Sequence, residues 1–337
     1  MWVTSSPATA LTPTAVALGN FDGVHRGHQK VIQPILQVSG ASLPLNGQSE
    51  SNLVNLPNLK TSCHPQPDTQ TGRIYATMAT FSPHPREFFS GHALKLLTPR
   101  SEKVEQLDSL GIEQLVLLPF DRELASLSPQ DFVEKILVKY LQVTHVSVGE
   151  DFHFGYRRSG TSKELQAIAS TYGIDVTIVP LQTCEGERIS SSLIRQSLEE
   201  GDIPKANRLL GRNYTLNGVV VQGQQLGRTI GFPTANLQIP PEKFLPRKGV
   251  YCVRVHSASL SSHWGVMNIG ERPTVQGTSL TVEIHLLNWS GDLYGQTLSV
   301  SLEQFIRPEQ KFASLDALKA QIQADCEVAR GFFGNGG

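Results

Sequence analysis

A glycine-rich string near the N-terminus has the composition of a phosphate site. It is G-N-F-D-G-V-H-R-G-H, from Gly19 to His28, and it lies between an apolar run, Ala15–Leu18, and a helical pattern that continues to about Val38. Such a turn binds phosphate because free amide groups and the positive dipole end of the following helix point at the anion. His25 and His28 can donate hydrogen bonds to phosphate oxygens on which charge develops. Two surface histidines at a helix start are the alternative.

Two further places in the first half carry side chains suited to nucleotide chemistry. Ser191 or Ser192 can cap a helix that contains Arg195, and this arginine can clamp a leaving pyrophosphate with two hydrogen bonds. Asp151 follows an apolar run and can contact a nucleotide or a flavin there. The alternatives are a capped helix without a ligand and a turn-forming aspartate.

A second glycine-rich segment lies in the other half of the chain. Gly223, Gly227 and Gly231 recur every four residues, and such glycines let backbone amides approach phosphates closely. Thr234 and Asn236 are two residues apart, so in an extended chain they offer a hydroxyl and a carbonyl on one face. Both are hard oxygen ligands suited to Mg²⁺. An ordinary glycine-rich hairpin is the alternative.

The elements that must position the first site are short apolar runs separated by helical patterns. Continuous apolar runs are typical of parallel strands covered on both faces. They are Ala15–Leu18, Ile74–Phe81, Gln114–Phe120, His145–Gly149 and Val176–Val179. Thr98-Pro99 opens a helix to Leu110, and Ser128 can cap another that starts with Pro129. The pattern predicts a doubly wound α/β domain whose ligands lie at the carboxyl ends of the strands.

After Gly211 the pattern changes to closely spaced strands separated by glycine and proline. This favours an antiparallel barrel that ends in a helix near Ser314–Arg330. The strands are Thr215–Val221, Gly249–His256, Gly265–Ile269, Ser279–Leu287 and Leu298–Phe305. We therefore predict an α/β domain at 1–211 and a barrel domain at 212–337. Within the first, the polar segment Ser39–Gly72 is expected to be a disordered insertion.

Composition limits the class of partner. The 337 residues carry 29 Lys and Arg against 30 Asp and Glu, so no net charge favours nucleic acid or an anionic membrane. The four cysteines are far apart, which is typical of reduced, cytoplasmic thiols. No secretory leader or membrane-spanning run is evident. Small-molecule substrates are the expectation, and self-association is left open.

The first half resembles the bifunctional riboflavin kinase/FAD synthetases, a branch of the nucleotidylyltransferases with the H-x-G-H signature. The resemblance rests on Gly19–His28 and on T-F-S-P-H-P-R-E at Thr80–Glu87, V-G-E-D-F-H-F-G at Val148–Gly155 and I-S-S-S-L-I-R at Ile189–Arg195. It implies FMN adenylyltransferase activity with ATP and Mg²⁺. The implied phosphate contacts are Gly19, Asn20, Phe21, Asp22, His25, His28, Ser191, Ser192 and Arg195, of which His28 and Arg195 are catalytic. The implied nucleotide or flavin contacts are Asp151, Phe152 and Asp202.

The second half is similar to the flavokinases, whose hallmark is G-x-x-x-G-R-x-x-G-F-P-T-A-N. This chain carries it from Gly223 to Asn236. The similarity implies that riboflavin is phosphorylated to FMN, with Glu283 as the catalytic base, Thr234 and Asn236 at the metal, and Arg307 at the flavin. The implied phosphate contacts are Gly223, Gly227, Arg228 and Gly231. A carboxylate on a rigid strand suits general-base catalysis, whereas the local sequence alone also fits a solvent-facing strand residue.

We therefore expect an enzyme that makes FMN in the barrel and FAD in the α/β domain. One rival is an adenylyltransferase whose barrel only binds flavin. Another is a flavin carrier without catalysis, which would not need H-x-G-H, Arg195, P-T-A-N and Glu283 together. The string G-x-x-x-x-G-K-[ST] is missing from the sequence, which excludes a P-loop NTPase.

Overall fold

The structure is a computed structural model. It describes residues 1–40, 72–223, 227, 230–274 and 277–334, and only the backbone of 272–274 and 277–279. The chain divides into two compact units between Ser191 and Ser192. The predicted insertion Ser39–Gly72 lies almost wholly outside the described residues. The domain boundary near Arg212 stays a prediction.

The first unit is built on a parallel sheet. Its order is β1-β4-β3-β2-β5-β8, and every neighbouring pair is parallel. The strands are β1 Trp2–Thr4, β2 Thr14–Leu18, β3 Tyr75–Ser82, β4 Gln114–Pro119, β5 Val143–Gly149 and β8 Asp175–Val179. All five residues of β2 are buried, as expected for an apolar strand covered on both faces. The predicted doubly wound sheet is confirmed.

Two hairpins of two-residue strands follow β5 and β8. They are β6 His153–Phe154 with β7 Gly160–Thr161, and β9 Thr183–Cys184 with β10 Glu187–Arg188. The helices before the boundary are α1 Arg26–Ser39, α2 Pro85–Ser90, α3 Arg100–Ser109, α4 Arg122–Ser126, α5 Pro129–Phe132, which continues as a π-helix over Val133–Tyr140, and α6 Ser162–Ser170.

Local signals explain where these helices begin. Ser128 caps α5 by accepting a hydrogen bond from the amide of Asp131, with Pro129 in the first turn, as predicted. The apolar face of α1 is buried through Val31, Ile32 and Ile35. Helix α1 starts at Arg26 because the ring of His25 accepts a hydrogen bond from the amide of His28. His28 therefore lies in the first turn of α1.

The second unit contains a closed barrel of order β11-β12-β15-β14-β13-β16. Every neighbouring pair is antiparallel. The strands are β11 Tyr214–Val221, β12 Ala235–Gln238, β13 Gly249–Ser257, β14 Leu260–Thr274, β15 Gly277–Leu286 and β16 Thr297–Pro308. The helices are α7 Ser191–Glu200, which begins at the boundary, α8 Ile203–Leu210 and α9 Leu315–Gly334. The predicted barrel with a C-terminal helix is confirmed.

Aromatic and apolar contacts attach α9 to the barrel. The rings of Trp264 and Phe333 stack with centroids 3.8 Å apart. Cys326 and Ala329 are buried against Val250 and Cys252 in the same apolar cluster. Within the described part of the chain, no helix combines the length and apolar character needed to cross a membrane.

Candidate active sites

The first candidate site lies where the order of the parallel sheet reverses. Strand β2 has β3 on one side and β5 on the other, and crevices at the carboxyl ends of such strands bind ligands. Gly19 directly follows β2, and Asp151 follows the end of β5 by two residues. The sheet therefore brings the glycine-rich turn and Asp151 to the same edge.

The phosphate turn, Gly19–Val24, has a backbone that most residues avoid. Phe21 and Val24 have φ values of 49° and 41°, although neither is glycine. Gly23 has φ 90°, which glycine adopts without steric cost. Such a turn persists only when its surroundings fix it.

Several side chains bond to this backbone from distant parts of the chain. The Asn20 carbonyl accepts hydrogen bonds from Thr80 Oγ1 and Lys103 Nζ, each at 3.1 Å. The Gly23 amide donates to Thr98 Oγ1 at 2.9 Å, and the Thr98 amide donates to Asp22 Oδ1 at 3.2 Å. Sequence reasoning identified Thr98 only as a helix start and missed Lys103.

The two histidines lie side by side at the start of α1. Their rings stack with centroids 3.5 Å apart and planes 14° apart. The Phe21 ring meets the His28 ring edge-on at 5.1 Å. A Cβ added at Gly27 would come within 3.2 Å of the His25 ring, so the glycine lets the ring lie close to the helix backbone. The two rings are neighbours at the start of α1, and their contacts with a triphosphate stay predictions.

The remaining predicted residues of this site occupy different settings. Ser191 begins α7, so it lies in the first turn of the helix and not at a cap, and its hydroxyl donates to the Asp22 carbonyl at 2.7 Å. Asp151 forms an ion pair with Arg188. The Phe152 ring is nearly parallel to that of Phe154, with centroids 5.8 Å apart.

Three predicted residues belong to the second unit. Ser192 lies in the first turn of α7, and the Arg195 guanidinium lies 5.4 Å from the centroid of the Phe244 ring. Asp202 caps α8 by accepting a hydrogen bond from the Lys205 amide at 3.0 Å. The nucleotide roles of all three stay predictions.

Four phenylalanines near the carboxyl ends of β3 and β4 form an aromatic cluster that sequence reasoning also missed. Phe81, Phe88 and Phe89 each meet the Phe120 ring edge-on, with centroid distances of 5.4 to 5.8 Å. Phe89 is 73% exposed, which is unusual for so large an apolar side chain. The F-F pair behind T-F-S-P-H-P-R-E was the signal in the sequence.

The second candidate site lies on three neighbouring strands of the barrel. Glu283 on β15 is paired with Asn236 on β12 and with Asn268 on β14. Thr234 Oγ1 lies 3.5 Å from Glu283 Oε2. Glu283 is half-buried, between the buried residues Val282 and Ile284, and its role as the base stays a prediction. The barrel thus brings the predicted base and both predicted metal ligands together.

Steric constraints explain the glycines beside this site. A Cβ added at Gly223 would overlap the side chain of Asn236, and one at Gly227 would overlap the carbonyl of Phe232. Gly231 has φ 90°. Arg228 lies outside the described residues, so its phosphate contact stays a prediction.

Arg307 forms an ion pair with Asp325 on α9. Its Nε and Nη2 atoms donate to both carboxylate oxygens of Asp325 at 2.7 to 3.2 Å, and Nη1 donates to the Pro308 carbonyl. Asp325 is buried and also accepts a hydrogen bond from Gln321. The predicted flavin contact of Arg307 is not tested by this geometry.

Comparison with known proteins assigns the two halves. The riboflavin kinase family model matches residues 210–333. The FAD synthetase model matches residues 8–44 and 67–193. The Escherichia coli K12 protein named bifunctional riboflavin kinase/FMN adenylyltransferase is 40% identical over 320 residues, covering 95% of this chain and 92% of its own. The chain belongs to the bifunctional riboflavin kinase/FMN adenylyltransferase family.

Two further comparisons cover nearly the whole chain. The Bacillus subtilis bifunctional riboflavin kinase/FMN adenylyltransferase is 33% identical over 96% of this chain and 93% of its own. The crystal structure of a macrolide-efflux protein from Streptococcus pneumoniae matches with a TM-score of 0.79 at 29% identity, covering 97% of this chain and 98% of that one. The resemblance predicted from the sequence is confirmed, and the family model skips residues 45–66 within the predicted insertion.

Proposed function

We propose that the chain phosphorylates riboflavin with ATP to FMN in its barrel and transfers AMP from a second ATP to FMN in its α/β unit, releasing pyrophosphate. The observation that carries the proposal is the placement of Glu283 between Asn236 and Asn268, with Thr234 Oγ1 3.5 Å from its carboxylate. A strand-borne carboxylate with oxygen ligands beside it suits phosphoryl transfer to a hydroxyl.

In the barrel, the carboxylate of Glu283 accepts the proton of the riboflavin 5′-hydroxyl. The freed oxygen attacks the γ-phosphorus of ATP, and ADP leaves. Pairing on both sides of β15 fixes the backbone of Glu283. A base held in this way reacts without first having to be ordered.

The donor set beside Glu283 fits magnesium. Mg²⁺ prefers oxygen ligands and is usually held by a few protein oxygens together with substrate phosphates. Thr234 and Asn236 supply such oxygens, and among the described residues no cluster of three His, Cys, Asp or Glu side chains could hold a metal ion. Bound there, the ion would neutralise charge on the transferring phosphates.

In the α/β unit, a phosphate oxygen of FMN attacks the α-phosphorus of ATP and pyrophosphate leaves. The nucleophile is already ionised, so the protein supplies alignment and stabilisation of charge. In this proposal His25 and His28, whose rings stack at the start of α1, donate hydrogen bonds to the triphosphate. Ser191 of the same unit is assigned to these phosphates, whereas the phosphate roles of Ser192 and Arg195 stay predictions from the sequence.

We assign the flavin ring to the aromatic cluster of this unit. The face of an exposed phenylalanine ring offers a flat apolar partner for a three-ring heterocycle. Phe89 is held edge-on by both Phe88 and Phe120, so little ordering is needed when a ligand stacks on it. Asp151, Phe152 and Asp202 remain assigned to the nucleotide or flavin, and a cytoplasmic location remains part of the proposal.

The direct test is to incubate the purified chain with riboflavin, ATP and Mg²⁺ and to separate the flavins by chromatography over time. We expect FMN to appear first and FAD to follow, and FMN supplied alone to give FAD. FAD made only from FMN would support the rival with a flavin-binding barrel. Bound flavin that stays unchanged would support the carrier and contradict the proposal.

A further inference from the structure

Thr98 and Lys103, at the start of α3, form hydrogen bonds with three residues of the phosphate turn. Lys103 Nζ donates to the Asn20 carbonyl at 3.1 Å. Thr98, just before the helix, accepts from the Gly23 amide and donates its own amide to Asp22. Lys103 thus contributes a charged side chain from α3, whereas Thr98 contributes a hydroxyl and a backbone amide.

The turn needs such bonds because its backbone is strained. Phe21 and Val24 hold positive φ angles without being glycine, and such residues relax unless neighbouring groups fix them. The Asn20 carbonyl, next to Phe21, is held by Thr80 on β3 and by Lys103 on α3. Losing Lys103 would leave this carbonyl held from one side only.

A shift of this carbonyl would reach the histidines. Phe21 follows Asn20 directly, and its ring lies edge-on against the His28 ring at 5.1 Å. The His28 ring in turn stacks on that of His25. The path from Lys103 to the two rings therefore runs through one backbone group and one aromatic contact.

The environment of Lys103 does not favour its charge. Burial lowers the pKa of Lys103, and the nearby Asp22 carboxylate offsets part of this effect. Burial also lowers the pKa of His84, which faces both Asp22 and Lys103. Lys103 is half-buried, and its charge adds little stability where folding disfavours the charged form. Its presence is explained if it serves the site.

We propose that Lys103 is a positioning residue for FMN adenylation, fixing the Asn20 carbonyl so that the phosphate turn holds His28 in line with the transferring phosphates. This inference rests on the proposed function of the α/β unit. Lys103 would make no contact with ATP, and in this respect it would differ from a residue that binds the phosphates directly.

The test compares Lys103→Met with Lys103→Arg in the full chain. Methionine keeps the apolar stem and removes the charge and the donors, whereas arginine keeps a cation that can donate to a carbonyl. The readouts are kcat and the ATP KM for FMN adenylation and the thermal midpoint. Riboflavin phosphorylation by the barrel is the internal control in each preparation.

We expect Lys103→Met to lower kcat about 10- to 100-fold, because small misplacement of aligned groups has effects of that size. The ATP KM should change less than about threefold, as expected when an interaction matters mainly in the transition state. Lys103→Arg should recover most of the activity. The thermal midpoint of Lys103→Met should fall by no more than about 5 °C, because the buried Asp22 carboxylate loses a nearby cation but keeps the hydrogen bond from the Thr98 amide.

Three results would overturn the inference. An unchanged kcat in Lys103→Met would show that the hydrogen bond from Thr80 is enough to fix the Asn20 carbonyl. A raised ATP KM with an unchanged kcat would make Lys103 a phosphate ligand. A parallel loss of kinase activity and of thermal midpoint in both variants would make it a structural residue. Failure of the parent chain itself to make FAD from FMN would instead contradict the proposed function.

Discussion

The phosphate turn of the α/β unit and Glu283 of the barrel are held in place by different kinds of structure. The turn depends on side chains that bond to its backbone, such as Thr80 and Thr98. Glu283 depends on strand pairing with its neighbours Asn236 and Asn268. A turn can bring many amide groups to one point, whereas a strand in a closed barrel holds one side chain rigidly.

This difference follows the chemistry that each site has to perform. Adenylation starts from an ionised phosphate and needs alignment and charge stabilisation. Phosphorylation of a hydroxyl needs a base at one fixed position. The two activities should therefore respond separately to substitution, and each of the following predictions tests that separation.

The largest effect is expected for Glu283→Gln. Glutamine keeps the size and most hydrogen bonding but cannot accept the proton, so riboflavin phosphorylation should fall about 10²- to 10⁴-fold. FMN supplied from outside should still become FAD at nearly the parental rate. Glu327→Gln, at an exposed position of α9, is the matched control and should leave both rates unchanged. Normal kinase activity in Glu283→Gln would show that another group is the base.

The next effect is expected for His28→Ala, which should reverse the pattern. FAD formation should fall about 10²- to 10³-fold, because removing one donor to a transition-state charge has effects of that size. FMN should then accumulate from riboflavin, and chromatography of the two flavins measures both rates. His92→Ala, at an exposed position of the same unit, is the control. Equal loss of both products would indicate one shared nucleotide site.

A smaller effect on activity is expected for Arg307→Leu, and it should follow from a loss of stability. It leaves the buried Asp325 carboxylate without its cation, and breaking a buried ion pair from one side costs about 3–5 kcal/mol. Denaturant unfolding should show this loss in the barrel, with kinase activity lost in proportion. FAD formation from FMN should persist.

The double variant Arg307→Leu, Asp325→Leu separates stability from flavin binding. Replacing both partners of a buried pair by apolar residues is often close to neutral, so the unfolding free energy should recover. A riboflavin KM that stays raised in this stable variant would support the flavin contact predicted for Arg307. A parental KM would contradict it.

The sequence predicted elements with strong local signals and missed contacts between distant segments. Strand β2 followed from its continuous apolar run, whereas β1, only Trp2–Thr4, is too short to show a period. His25 and His28 were predicted because they are close in sequence. Lys103 was missed because, 83 positions from Asn20, it looks like any lysine on a helix surface. Asp325 was missed as the partner of Arg307 for the same reason.

The smallest effect on activity is expected from modification of cysteine thiols. The compared quantity is the reactivity of one thiol in each unit. Burial raises the pKa of Cys252 in the barrel to about 12, well above the ordinary value of a cysteine thiol. The reactive form of cysteine is the thiolate, so at neutral pH its population should be on the order of 10³-fold below that of an ordinary thiol. Cys184, in the hairpin after β8, is only half-buried.

Iodoacetamide on the native chain should therefore label Cys184 long before Cys252, as peptide mass spectrometry can follow. The two activities should change less than about twofold while only Cys184 is modified, because changes at such positions rarely disturb the fold. Unfolding in denaturant should remove the burial and make both thiols react alike. Fast labelling of Cys252 in the native chain would mean that the barrel opens beside α9, and the rigid placement argued for Glu283 would then fail with it.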